Sequence, residues 1–147
     1  MYQHLLVPLD GSELSERAAQ SSLDLARKLG ARITGFVVEP MPPLPSMGSN
    51  ATVYSRDTDD HMKRTEAHAR AVLAAFKAKA DEHGVEFQAQ FKRSDAVGDA
   101  IIEAATEFGC DLIVMVTHGR GAFGELLFGS HTKTVLSRSK LPLLVLH

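Results

Sequence analysis

The chain has 147 residues, 44% of them hydrophobic and 23% charged, with a formal net charge of −2. That is one domain's worth of ordinary globular composition, which excludes disordered, collagenous and coiled-coil chains. The near-neutral charge and the lack of a Lys/Arg stripe give no support to binding of nucleic acid or of an anionic membrane, since both rely on stacked positive charge.

His4–Leu9 reads as a first strand, nearly all apolar, as expected of a strand covered on both faces. Glu13–Leu29 follows as a helix, with Leu14, Ala18, Leu25 and Leu29 near helical spacing. Asp10, with Glu13 three residues on, reads either as a capping-box-like start of that helix or as a ligand contact, and the two roles are compatible. The helix ends on Gly30 and gives way to a strand at Ile33–Glu39. Pro40–Ser55, carrying Met41, Pro42, Pro43, Leu44, Pro45, Met47 and Gly48, is a long kinked loop. Loops longer than roughly 12–15 residues are usually functional or disordered, so this one covers a ligand, contacts a partner or moves freely at the surface.

A long helix, about Asp57–His83, aligns Met62, Ala69, Val72, Leu73, Phe76 and Ala80, and ends at Gly84. The next strand, Val85–Phe91, alternates apolar and polar residues, which predicts a sheet edge with one wetter face. Ser94 or Asp95 is placed to cap a helix over Asp95–Phe108, which repeats Val97, Ile101, Ala104, Ala105 and Phe108. Gly109 then leads to the apolar strand Leu112–Val116. A short helix over roughly Ser130–Ser139 presents Val135 and Leu136, and Pro142 forces an extended approach to the last strand, Leu143–Leu146.

Glycine just past a helix takes the left-handed conformation without a Cβ penalty. Three helix–Gly–strand phrases at irregular spacing therefore indicate alternating β/α units rather than a solenoid. Five strands and four helices predict one three-layer, doubly wound α/β domain over residues 1–147, with a five-stranded parallel sheet and helices on both faces. Ligands of such folds sit beyond the carboxyl ends of the strands, where the strand order reverses. The candidate loops are thus Asp10–Ser12, Pro40–Ser55, Lys92–Asp95 and Thr117–Gly129.

The last of these is the most informative. Gly119, Gly121, Gly124 and Gly129 allow backbone N–H groups to approach an anion closely, and Ser130 opens a helix whose positive end suits a phosphate. Gly119-x-Gly121-x-x-Gly124 is not a dinucleotide fingerprint, because it follows a late strand and Ser139–Leu144, about 20 residues on, contains no acid. No Gly-Lys-Ser/Thr exists for a Walker A loop. Gly119, nine residues, then Gly129-Ser130 instead resembles the Gly-2X-Gly-9X-Gly-Ser/Thr signature of nucleotide-binding universal stress proteins. The resemblance runs the length of the chain, from Leu6-Val7-Pro8-Leu9-Asp10-Gly11-Ser12 to Val135–Leu146.

That resemblance implies an adenine-nucleotide site binding ATP, or AMP or ADP, with Mg²⁺ as a possible companion of the nucleotide. Pro8 and Asp10 match positions beside adenine and ribose, Val38 the backbone contact to adenine, and Met115 a position beside base and ribose. Gly119, Gly129, Ser130 and, more loosely, His131 match the phosphate lining. His118 reads either as a phosphate contact or as a loop-packing residue, and Ser130 also reads as a helix N-cap. Where the family signature has its first glycine this chain has Val116, whose branched Cβ either crowds the ribose or a phosphate or narrows the loop's options.

Other chemistry finds little support. Cys110 is the single cysteine and reads as a small buried thiol, so there is neither a disulfide framework nor a Cys-rich zinc site. Among seven histidines, His61 and His68 could share a helix face, but no H-E-x-x-H or i,i+4 pair exists, and no dedicated metal is expected. There is no G-x-S-x-G elbow and no evident general base, so the chain would be at most a slow ATPase. A phosphorylated receiver domain is disfavoured because Asp10 stands alone where an acidic cluster is needed.

The amino terminus lacks a basic region followed by a long apolar segment, and apolar runs are short, such as the five residues Leu112–Val116, which predicts a cytoplasmic protein with no membrane span. Leu143–Leu146 would be an exposed apolar edge in a monomer, and the resemblance implies a homodimer through that last strand. Two functions remain open. One is a nucleotide-binding protein of the stress response or signalling, working through conformation and a protein partner. The other is a nucleotide-independent stress-related interaction module, which Val116 favours.

Overall fold

The computed structural model describes residues 1–45, 47–48, 50–117 and 130–146. Its elements run β1 (His4–Leu9), α1 (Glu13–Leu29), β2 (Arg32–Glu39), α2 (Ala51–His83), β3 (Phe87–Arg93), α3 (Val97–Glu107), β4 (Leu112–Val116), α4 (Ser130–Arg138) and β5 (Leu143–Leu146). The strands form one parallel sheet in the order β3-β2-β1-β4-β5. The expected doubly wound architecture is therefore present, with β3 and β5 at the two edges.

Alternation along β1 divides the core in two. Leu5, Val7 and Leu9 pack with Leu23 and Ala26 of α1 and with Leu73 and Phe76 of α2. Leu6, on the opposite face, packs with Phe36, Ile113 and Met115, with Ile101, Ala104 and Ala105 of α3, and with Val135 of α4. Chain winding explains the division. Two right-handed crossovers from β1 through β2 to β3 put α1 and α2 on one face, and the return from β3 to β4 puts α3 and α4 on the other.

The three predicted glycine stops share one geometry. Gly30, Gly84 and Gly109 each take φ 66°, where a Cβ would meet nothing within 4 Å. Glycine is thus required there by conformation rather than by space. The residue after each glycine donates back to the helix, Ala31 to Ala26, Val85 to Ala80 and Cys110 to Ala105, each at 2.9 Å. All three donors are buried. This is the Schellman arrangement with its accompanying apolar contact. It explains why β3 begins at Phe87 rather than at Val85: Val85 is committed to the helix stop. It also accounts for Cys110, whose thiol is pushed up to about 11 by burial.

Several sequence expectations are corrected. α2 starts at Ala51, capped by the Asn50 side chain accepting from Thr52 N–H, so the loop after β2 is shorter than Pro40–Ser55. α1 is capped by Ser12, which accepts from the Ser15 N–H, and not by Asp10. α3 has no side-chain cap: Ser94 accepts from the N–H of Ala96, the residue just before the helix, and Asp95 accepts from Met41 N–H. Ser130 is the first residue of α4 rather than the residue before it. Leu29 and Leu136 are exposed at 37% and 57%, whereas Leu23, absent from the predicted stripe, is fully buried.

α3 and α4 meet at Gly98. A Cβ there would fall 2.7 Å from Thr134 Cβ and 3.4 Å from the His131 carbonyl oxygen. Thr134 Cβ is fixed to its backbone, so only a shift of the helix relieves the clash. Overpacking costs about 1–3 kcal/mol, against about 0.5–1 kcal/mol gained by replacing a helical glycine. Gly98→Ala is expected to lose about 1–2 kcal/mol net. The loss should be read as a lower urea midpoint at unchanged m-value; an unchanged or raised midpoint would contradict the close contact.

Candidate functional site

β1 and β4 are neighbours at the point where winding reverses. They pair at Leu5–Leu112 and Leu6–Ile113. Both strands continue beyond that ladder, to Leu9 and Val116. At their carboxyl ends lies a cavity of about 250 Å³, just below the roughly 300–1,000 Å³ of typical ligand pockets.

The apolar wall is made by Phe36, Val38, Val97, Ile101, Met115 and Val116, and the polar groups are Asp10, Ser12, Ser15, Thr117, His131 and Thr132. An apolar slot with a few converging polar groups suits a flat base and its sugar. Pro8 also lines the cavity and has no N–H to donate. The ladder between β1 and β2 ends at Leu9–Val37, which leaves Val38 just past the last paired residue and at the cavity.

The turn after β1 is held by a short hydrogen-bond relay. Asp10 Oδ1 accepts from Ser12 N–H at 2.9 Å, and Ser12 Oγ accepts from Ser15 N–H at 3.2 Å. Ser15 Oγ in turn donates to the Ser12 carbonyl at 3.0 Å and accepts from Gly11 N–H at 3.1 Å. Burial works against the Asp10 charge, but hydrogen bonding from Ser12 outweighs it, holding the carboxyl below its ordinary value. Asp10 is thus ionised at neutral pH and acts as an acceptor. Gly11 takes φ 84°, and a Cβ there would lie 2.8 Å from His68 Nε2. The turn therefore packs directly beneath α2.

Pro8, Asp10, Val38, Met115, Val116 and His131 all line this one cavity. Ser130 is exposed and immediately precedes His131 at the start of α4. His118, Gly119 and Gly129 lie outside the described residues, although the segment that holds them joins Thr117 to Ser130. Sequence reasoning missed Thr117 and Thr132. Thr117 follows directly on the last residue of β4, a position that the strand-end rule could have singled out. It is buried, and its hydroxyl has no hydrogen-bond partner among the described residues.

No Lys or Arg is among the described lining residues. Most described histidines are engaged elsewhere: His4 with Thr34 at 2.7 Å, His68 with Glu39 at 2.6 Å, and His83 with the Lys79 carbonyl at 2.7 Å. No group of three His, Cys, Asp or Glu among the described residues could hold a metal ion. No described helix is long and apolar enough to cross a membrane.

These features define a doubly wound α/β domain with a small-molecule cavity at its switch point. The model of the universal stress protein family matches residues 1–147, and the chain belongs to that family. A universal stress protein of Thermus aquaticus is 30% identical over 145 residues, spanning 99% of this chain and 98% of that one. A family structure from Burkholderia pseudomallei is 26% identical with a TM-score of 0.75, covering 99% of this chain and 96% of that chain. A universal stress protein solved in complex with cAMP is also 26% identical, with a TM-score of 0.69 and coverage of 99% and 97%.

A buried hydroxyl without a partner costs about 1–3 kcal/mol, and its methyl isostere removes that cost. Thr117→Val is therefore expected to stabilise the ligand-free protein by about 1 kcal/mol, read from urea unfolding. A loss of stability of that size would show that the hydroxyl is already satisfied.

Proposed function

We propose that this universal stress protein binds an adenine nucleotide, ATP or the related ADP or AMP, in the switch-point cavity. It acts in the stress response or signalling through nucleotide-dependent conformation and a protein partner, in the cytoplasm. The observation that carries this reading is the convergence of Asp10, Val38, Met115, Thr117 and His131 on one cavity outside the carboxyl ends of β1 and β4. The cAMP complex of a relative supports the same ligand class.

In this reading the base lies against Met115, Val38 and Ile101, and the Asp10 carboxylate accepts from the ribose hydroxyls. The phosphates reach toward the first turn of α4, whose free N–H groups offer donors and a positive dipole end. The family resemblance assigns His118, Gly119 and Gly129 to the same phosphates. Magnesium arrives with the nucleotide, because Asp10 is the single carboxylate among the described lining residues. In this reading the chain is at most a slow ATPase.

Calorimetric titration with ATP, ADP and AMP, with and without Mg²⁺, tests the site. One nucleotide per chain is expected, with Asp10→Asn weakening binding by about tenfold through loss of a charged acceptor. Absence of binding by all three at millimolar concentration would sink the nucleotide reading. It would favour the alternative of a nucleotide-independent interaction module, for which Val116 at the cavity wall is the specific observation.

A homodimer through β5 completes the proposal. β5 is the sheet's outer strand beyond β4, and Leu143–Leu146 are all only partly buried. An apolar edge with an open row of backbone donors and acceptors is an aggregation hazard unless paired. Light scattering at micromolar concentration should give the mass of two chains; a monomer would contradict the pairing.

A further inference from the structure

The Asp10–Ser12 turn leans on a part of the molecule that does not line the cavity. A Cβ on Gly11 would fall 2.8 Å from His68 Nε2 and 3.0 Å from Val72 Cγ2. The imidazole of His68 and the methyl of Val72 thus form the floor on which the turn rests. Packing alone does not fix the His68 ring, because that side chain is 49% exposed. A hydrogen bond does: Nδ1 donates to Glu39 Oε1 at 2.6 Å. The Glu39 side chain is only 7% exposed, and a carboxylate at such depth requires a donor, which His68 supplies.

Glu39 closes β2, one residue past Val38, and Val38 lines the cavity. Strand alternation puts Glu39 on the same face as Val37, in the core shared with α1 and α2. Phe36 and Met115, from the apolar wall of the cavity, belong to the other core. Neither Glu39 nor His68 lines the cavity. The pair therefore ties the end of β2 to the turn after β1 across the back of the sheet.

We propose that the Glu39–His68 pair is a positioning device for Asp10, fixing the aim of its carboxylate at the hydroxyls of a bound nucleoside. The inference rests on the nucleotide reading above. The polar anchoring of α2 supports it. No residue of α2 before Ala69 is buried, so apolar packing does not decide where His68 stands. Arg93, at the end of β3, donates to the Thr65 hydroxyl at 2.5 Å and to the Met62 carbonyl at 2.8 Å. Glu39 holds the helix about one turn further on. Two strand ends thus grip one stretch of α2, and that stretch supports the turn. The Asp10 carboxylate is tied to the turn by Ser12 N–H at 2.9 Å, so it moves as the turn moves. Binding groups need their geometry held to about 0.5 Å, a tolerance that an unsupported glycine turn does not keep.

The test separates aim from general loosening. AMP and 2′,3′-dideoxy-AMP differ only in the ribose hydroxyls, so the ratio of their affinities reports what those hydroxyls contribute. Wild type is expected to favour AMP about tenfold, the scale of one hydrogen bond to a charged acceptor, and Asp10→Asn to bring the ratio near unity. His68→Asn keeps a donor for the buried Glu39 carboxylate but removes the rest of the ring from beneath Gly11. Its ratio is expected to fall to about threefold or less, with AMP weakened and the dideoxy nucleotide unaffected. Glu39→Ala, which frees the ring, should act in the same direction. On the Asp10→Asn background, His68→Asn should change neither affinity, because the group it positions is gone.

A ratio that stays near tenfold in either variant overturns the inference and leaves the nucleotide site standing. Equal weakening of both ligands also overturns it, as does an effect of His68→Asn that persists undiminished on the Asp10→Asn background; each marks a merely structural role. A wild-type ratio near unity overturns it too, since Asp10 then reads no hydroxyl. Failure of the wild type to bind AMP at millimolar concentration overturns the nucleotide reading and this inference together.

Discussion

The reversal of winding between β1 and β4 is the constraint on which the rest of this molecule depends. Every right-handed crossover on one side of β1 places its helix on one face, and every crossover on the other side places it on the opposite face. Neither α1 nor α4 can therefore cover the carboxyl ends of both central strands. The short ladder at Leu5–Leu112 and Leu6–Ile113 marks where sheet gives way to crevice. Much of what lines the cavity is there because it lies just past that ladder: Pro8, Leu9, Asp10 and Ser12 after one strand's paired stretch and Met115, Val116 and Thr117 after the other's, with β2, α3 and the first turn of α4 completing the wall.

Electrostatics then set what such a crevice can hold. The turn at Asp10–Ser12 spends its hydrogen bonds internally and presents a carboxylate, an acceptor suited to hydroxyl groups rather than to anions. In the nucleotide reading, the anion falls to the other side, where a helix start offers N–H donors. The two ends of the cavity are thus chemically unlike, a polarity that matches the proposed nucleotide, with hydroxyls at one end and negative charge at the other. Balanced overall charge is compatible with this, because the local arrangement and not the net charge of −2 decides the fit.

Much of the architecture was legible in the sequence because its signals are local. The three glycines mark helix stops through a conformation that only glycine takes cheaply, and the alternation in β3 marks an edge strand. What escaped was set by tertiary context. The start of α2 was read as loop because no residue before Ala69 is buried, so the segment has no apolar periodicity to show. Asp10 and Ser12 are both good caps, and choosing between them needs the backbone path, not composition. Leu23 was missed in favour of the more conspicuous Leu25 and Leu29 because α1 approaches the sheet through small residues, Ser15, Ala18, Ala19, Ser22 and Ala26. Of the site, the strand-end residues Pro8, Asp10, Val38, Met115 and Val116 were readable from position. Thr117 was within reach of the same strand-end rule, but its unpaired hydroxyl was not, nor was the burial of Thr132, since both are invisible until the chain is folded.

The contact at Gly98 has a mechanical meaning. With no Cβ between them, α3 and α4 touch backbone to side chain, and both contribute to the same cavity wall, Val97 and Ile101 from one and His131 and Thr132 from the other. The Asp99–Arg138 ion pair ties the far end of α4 to the start of α3. A load applied at His131 is therefore borne by two helices at once. The wall is thus built as one packed unit of two helices, held at one end by the close approach at Gly98 and at the other by an ion pair.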